Sequence, residues 1–157
     1  MPAFRLALLA VGSVAGSALA QGATAETTVS MNVVREVVTD AGETEYQPVE
    51  TAVPGDPLIY RIQLENTDPV PANSVGLSLP LDESLAIDPT SVSAGTSLEV
   101  AFSADGGESF APFEDLTVEV GGETRQAQAT DLTHLRVTID QVEPQSDVTV
   151  EYDAVVR

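Results

Sequence analysis

The chain has 157 residues, with 25 aspartates and glutamates against six basic residues, one histidine and no cysteine, for a formal net charge of −19 at pH 7. Such a surface repels nucleic acid and anionic lipid, and without thiols there are no disulfides, cysteine nucleophiles or cysteine-ligated zinc sites. All six basic residues are arginine, and an acidic, lysine-free surface suits high salt, where the screening length falls from about 10 Å at 0.1 M to about 3 Å at 1 M.

The first twenty residues, MPAFRLALLAVGSVAGSALA, read as a secretory signal. Arg5 supplies the positive start, Leu6 to Val14 the apolar stretch, and Ala18-Leu19-Ala20 the small-x-small site before Gln21. The apolar run is shorter than the roughly 20 residues of a spanning helix, and Gly12, Ser13, Gly16 and Ser17 interrupt it. Cleavage is expected after Ala20, releasing a protein that is secreted or periplasmic and not inserted in the membrane. No cysteine follows that site to carry a lipid. Residues 21–26 read as a short disordered leader and residues 27–157 as one domain, long enough to be held by its core alone.

Period-two alternation then recurs along the chain, which is the signature of strands buried on one face. In Thr27 to Val38, Val29, Met31 and Val33 share one parity, and Val34, Glu36 and Val38 the other. That switch predicts a bulge near Val33-Val34 or a strand crossing between sheets. Leu58, Tyr60, Ile62 and Leu64 alternate with Ile59, Arg61, Gln63 and Glu65. Val75, Leu77, Leu79 and Leu81 share a face, as do Leu98, Val100 and Phe102, which alternate with Glu99, Ala101 and Ser103. Leu116, Val118 and Val120 form the next inward set. Thr133, Leu135, Val137 and Ile139 oppose His134, Arg136, Thr138 and Asp140, and Val148, Val150, Tyr152, Ala154 and Val156 close the series.

Turn residues separate these runs: Asp40-Ala41-Gly42, Pro54-Gly55-Asp56, Asn66-Thr67-Asp68-Pro69, Asp105-Gly106-Gly107, Gly121-Gly122 and Glu143-Pro144. Asp105-Gly106-Gly107 and Gly121-Gly122 read as hairpin tips. Short strands at this spacing, with no helical pattern between them, predict an all-β sandwich or barrel.

Several of these segments resemble one family. Val53-Pro54-Gly55-Asp56 followed by Leu58, Tyr60 and Asn66-Thr67 is similar to the "PGD…Tyr…Asn-Thr" segment of the conserved-repeat modules called domain of unknown function 11. Pro71 to Val75 through Leu79-Pro80-Leu81 resembles that family's "A-x-N-V…Leu-Pro" strand, and Ser103 to Phe110 its "S-x-D-G-G-x-x-F" hairpin. Leu135 to Val156 resembles its closing pair of strands, with Gln145 at a turn position where the family has glycine. The resemblance covers about Val49 to Val156. It implies an immunoglobulin-like antiparallel sandwich, here of seven to nine strands, carried on bacterial and archaeal surface and secreted proteins. It implies no catalytic or ligand-binding residue.

Candidate sites are few. His134 is the one imidazole, and alternation puts it outward beside Arg136, where a solvated surface histidine is expected. No Gly-x-Ser-x-Gly precedes it. Asp105-Gly106-Gly107-Glu108 and Glu65-Asn66-Thr67-Asp68 place oxygen donors in turns, but neither matches a calcium loop that gathers six to eight oxygens. Sugar binding favours exposed aromatics; of these Tyr46, Phe110 and Phe113 lie off the inward parities, with Phe110 and Phe113 expected to plug the end of the sandwich. The reading is a non-enzymatic module with no catalytic, cofactor or metal residues, a structural or adhesive role in the cell envelope, and a larger surface protein as partner. The alternative is a binding module for glycan or calcium.

Overall fold

Alternation along Pro57–Asn66 organises the molecule. In the computed structural model, which describes residues 26–157 and the dipeptide Phe4–Arg5, Leu58, Tyr60, Ile62 and Leu64 are all buried while Gln63 and Glu65 are exposed. The signal segment expected over residues 1–20 and the leader over 21–26 fall outside the described residues, apart from Phe4, Arg5 and Glu26. In chain order the strands are β1 (Phe4–Arg5), β2 (Thr27–Val38), β3 (Thr44–Pro48), β4 (Thr51–Ala52), β5 (Pro57–Asn66), β6 (Ala72–Pro80), β7 (Leu85–Ile87), β8 (Ser93–Ala94), β9 (Leu98–Ser103), β10 (Thr117–Val120), β11 (Glu123–Gln126), β12 (His134–Val142) and β13 (Ser146–Val156). Two 3₁₀ turns, η1 (Phe113–Asp115) and η2 (Ala129–Asp131), flank the β10–β11 ribbon. Nine of the strands are four residues or longer, the upper end of the expected count, and four shorter ones add to them.

Every pairing is antiparallel. One sheet has the order β3-β2-β5-β13-β7, with β8 also paired to β13; the other has the order β6-β12-β9. The inward residues of β5 and β13 share one core with Leu79, Phe102, Leu135, Val137 and Ile139 of the second sheet. The protein is an all-β sandwich of antiparallel sheets, with alternation in each strand assigning the face that closes the core.

Three local expectations need correction. The parity switch in β2 is not a bulge: β2 pairs with β5 from Thr27 to Val34 in unbroken register, then with β3 from Val34 to Val38. The strand stays in one sheet and changes neighbours, so Val33 and Val34 are both buried, on opposite faces. Val120 is 54% exposed, because β10 pairs with β11 alone, outside the two main sheets. Ser103, assigned outward in β9, is fully buried, its hydroxyl bonded to Asp105 and Gly107.

A similar parity shift occurs where β6 and β12 pair. Ile139 and Val142 are both buried, with exposed Asp140 and Gln141 between them, and Ser74 in the facing strand sits at φ 51°. Val75 and Ala72 flank that left-handed residue and both turn toward the core. Turn chemistry follows the sequence more closely. Gly121 and Gly122, at φ 64° and 86°, join Val120 to its partner Glu123 as the two-residue primed turn that such a ribbon needs.

Tyr60 and Tyr152 face each other across the β5–β13 ladder, their rings stacked with centroids 4.9 Å apart and planes within 4°. Burial pushes the Tyr60 phenol up to about 12, with the Asp82 carboxylate adding to the effect. Burial and the neighbouring Tyr60 push Tyr152 upward as well. A folded pKa above the ordinary value of 10 means that the neutral phenols stabilise the fold fully below pH 10, and that this contribution is lost as pH rises through about 12. Base titration followed by tyrosinate absorbance and far-ultraviolet circular dichroism is expected to show these two phenols ionising together with loss of the sheet signal. Complete ionisation of all tyrosines with the sheet signal intact would contradict the buried stack.

Candidate functional site

Asp105, Glu108, His134 and Arg136, singled out by sequence, lie around the point where β9 ends at Ser103 and β12 begins at His134, directly opposite it. The chain leaves Ser103, forms a loop, and returns through a single bridge between Phe102 and Ala111, whose reciprocal N–H···O bonds are 2.8 and 3.0 Å. The expected tight hairpin is therefore a longer loop closed on one residue pair.

Asp105 organises this loop. Its Oδ1 accepts hydrogen bonds from the Ser103 hydroxyl at 2.6 Å and from the N–H groups of Glu108 and Ser109 at 3.0 Å each, and Oδ2 accepts from the Ser109 hydroxyl. The Ser103 oxygen in turn accepts the Gly107 N–H at 2.9 Å. Thr133 ties the loop to the start of β12: its hydroxyl accepts the Gly106 N–H at 3.0 Å and lies 3.1 Å from the Ser103 carbonyl oxygen, to which it donates. These donors, the Ser103 hydroxyl first and the Ser109 hydroxyl next, hold the Asp105 carboxyl far below the usual carboxylate range. Burial of Ser103 follows from this network, since a buried hydroxyl needs partners and the loop supplies them.

The glycines let the loop lie flat on β12. Gly107 has φ 91°, and a Cβ there would stand 3.4 Å from three atoms of the His134 ring. His134 is accordingly half-buried rather than solvated, and its Nδ1 lies 3.2 Å from Thr133 Oγ1. Farther along, the Arg136 guanidinium lies 3.5 Å above the centre of the Phe110 ring. Phe113 meets Phe102 edge-on at 6.0 Å and packs against the core, as a plug for that end of the sandwich. Tyr46 is half-exposed on β3, its ring 5.3 Å from the Arg61 guanidinium, which itself pairs with Glu151 at 2.6 Å.

The other oxygen-rich turn is also built from within. Asn66 is fully buried, and its Nδ2 lies 2.8 Å from the Val70 carbonyl oxygen and 3.1 Å from those of Val142 and Glu143. Its Oδ1 accepts the Asp68 N–H at 3.1 Å. At the opposite end of β5, Pro54-Gly55 forms a turn with Gly55 at φ 96°, closed by Asp56 N–H to Val53 O at 3.0 Å, while the Asp56 carboxylate takes the Val53 N–H at 3.0 Å. Gly55 N–H then bonds Val156 O, and Val156 N–H bonds Asp56 O, fastening the last strand. Asp82 and Asp88 each accept both the N–H and the hydroxyl of the residue two positions on, Ser84 and Thr90, which lowers both carboxyls.

Among the described residues, no three histidine, aspartate or glutamate side chains are grouped to hold a metal ion. A surface groove of about 490 Å³ lies elsewhere, on the outer face of the larger sheet between Glu36, Ile59, Ala86, Asp88, Asp153 and Val155. No protein family, curated protein or solved structure matches the chain.

Because the Asp105 pKa is depressed in the folded state, its contribution to stability is present above the unfolded value of 3.8 and is lost as pH falls through the folded one. Asp105→Asn is expected to lower the melting temperature at pH 7, and the gap to the parent chain should narrow as pH drops below 3.8. Thermal melts across that range check it; a gap that stays constant with pH would contradict the role given to the ionised carboxylate.

Proposed function

We propose that the protein is a secreted or periplasmic, non-enzymatic module with a structural or adhesive role in the cell envelope, accompanying a larger surface protein. On this reading its sandwich is the immunoglobulin-like one of the conserved-repeat modules called domain of unknown function 11, and its acidity is an adaptation to high salt. The observation that carries the proposal is the use to which the motif residues are put. Asp56 closes the Pro54-Gly55 turn, Asn66 bridges two turns, and Asp105 gathers the Ser103–Ser109 loop. Each is a residue of the resemblance, and each acts on the fold itself.

The salt account supports the same reading. With 25 acidic residues against six arginines, self-repulsion is the main electrostatic load on the folded state. Any salt that screens it stabilises the protein, whatever the cation.

Two measurements test the proposal. Fractionation of a host expressing the full chain is expected to place it outside the cytoplasm with Gln21 as its first residue; a full-length cytoplasmic product would contradict it. Melting in calcium, magnesium and sodium chlorides at matched ionic strength is expected to give equal stabilisation. A rise specific to calcium and reversed by EDTA would favour the binding-module alternative.

A further inference from the structure

Among the described residues the open edges of the two main sheets are β3, the Thr27–Val33 side of β2 that β3 leaves uncovered, β6, the β7 and β8 edge, and β9, and they differ in one respect that bears on association. β3 carries Glu45, with Glu43 just before it. β9 carries Glu99, and Ala111 bridges to its Phe102. The β7 and β8 edge is broken into pieces of three and two residues, with Asp88 between them. β6 has none of these protections along its length. Its nine residues, ANSVGLSLP, contain no charge, and they sit inside the uncharged run 69–81, the longest between residues 26 and 157.

β6 pairs with β12 on one side and with no other strand among the described residues. Asn73, Gly76 and Ser78 are exposed, and a side chain added at Gly76 would meet nothing within 4 Å. Val75 and Leu77 point to the core side but remain half-exposed at the margin of the sandwich. The facing residue of β12 at Ser78 is Arg136, which puts a positive charge beside the usable part of the edge, while exposed Asp140 lies level with Ser74 at its far end. An open strand edge offers unpaired N–H and C=O groups and is a template for another strand, and charge is the usual means of blunting it.

We propose that the β6 edge pairs antiparallel with β6 of a second copy of this chain, joining two three-stranded sheets across a two-fold axis. The choice of occupant follows from charge. A two-fold interface sets one surface against itself, so on a chain of net charge −19 most such contacts would oppose carboxylates. β6 is an edge on which self-pairing brings no carboxylates face to face, and its uncharged run of residues 69–81 is longer than the run of residues 27–34 on the open side of β2. Pairing would also cover Val75 and Leu77. The left-handed Ser74 and the proline at position 80 bound the usable segment at Val75–Leu79. So short a contact is a small interface, and the dimer is expected to be weak and concentration-dependent. Salt is expected to tighten it, since the remaining surfaces repel.

The test is sedimentation velocity of the purified chain over a range of concentrations in low and high salt, with cysteine cross-linking as a second readout. The parent chain is expected to move from monomer toward twice that mass as concentration rises, with tighter association at higher salt. Ser78→Asp, at an exposed position that leaves the core untouched, should weaken the dimer by more than about tenfold, because it sets like charges against each other. Gln47→Asp on the β3 edge should leave association unchanged, and melting curves verify that both variants are folded. Single cysteines at positions 73, 76 and 78, in a chain with none of its own, should give disulfide-linked dimers whose yield peaks at the position nearest the two-fold. Gln47→Cys should give only background. A monomer at every concentration and salt, a dimer that survives Ser78→Asp, or equal cross-linking at position 47 overturns the proposal.

Discussion

One buried amide holds together the two places where the chain passes between sheets near β5. After β5 the chain crosses to β6 of the second sheet through residues 67–71, and after β12 it returns to β13 of the first through Glu143-Pro144-Gln145. Asn66 sits at the end of β5, opposite Thr27 of β2 and Ser146 of β13, and its Nδ2 reaches the carbonyls of both crossings. Three carbonyl oxygens share its two N–H groups, and its own oxygen receives the Asp68 N–H. A buried, unpaired carbonyl costs about 1–3 kcal/mol, so this side chain makes the adjacent crossings tolerable to bury. Asp68 O accepting the Gln145 N–H at 3.1 Å adds a backbone link between the same turns. Gln145 holds φ 51° there, a conformation that glycine adopts with less strain.

The same strategy recurs at several of the turns. Asp56, Asp82, Asp88 and Asp105 each turn a carboxylate back on nearby N–H or hydroxyl groups, and Asp131 does so with the Gln128 N–H while also pairing with both terminal nitrogens of Arg125. Arg125 and the Gln128 N–H together hold the Asp131 carboxyl down at about 2. A chain without disulfides has to fix its loops by other means, and here acidic side chains that also keep the surface charged serve as internal acceptors. Acidity is thus partly architectural.

Strands with one apolar face were legible in the sequence because alternation reports burial directly: β5, β12 and β13 bury the residues that the pattern assigns, except that Thr133 and Val148 stay half-buried. β3 and β11 were not legible. Thr44–Pro48 is exposed throughout and Glu123–Gln126 is wholly polar, so neither carries an apolar parity to read. β7 and β8 are too short for any period to show. Ser103 and Asn66 mark the other limit, since a pattern of apolar and polar residues treats a polar side chain as outward, whereas its place depends on whether distant partners complete its hydrogen bonds. Those partners, Gly107 for Ser103 and Val142 for Asn66, are set by the fold. The turn motifs announced where the chain bends, while the half-burial of His134 beneath Gly107 needed the loop's path over β12.

Equilibrium unfolding in urea of the parent chain, Asn66→Ala and Asn66→Asp tests the central claim most directly. Asn66→Ala is expected to lose about 2–3 kcal/mol, from carbonyls left without donors. Asn66→Asp, nearly the same shape, is expected to lose more, at least about 3 kcal/mol, because a carboxylate would be aimed at three carbonyl oxygens in a buried site. If both variants fall within about 0.5 kcal/mol of the parent, as ordinary surface substitutions do, the buried amide is not what joins the crossings.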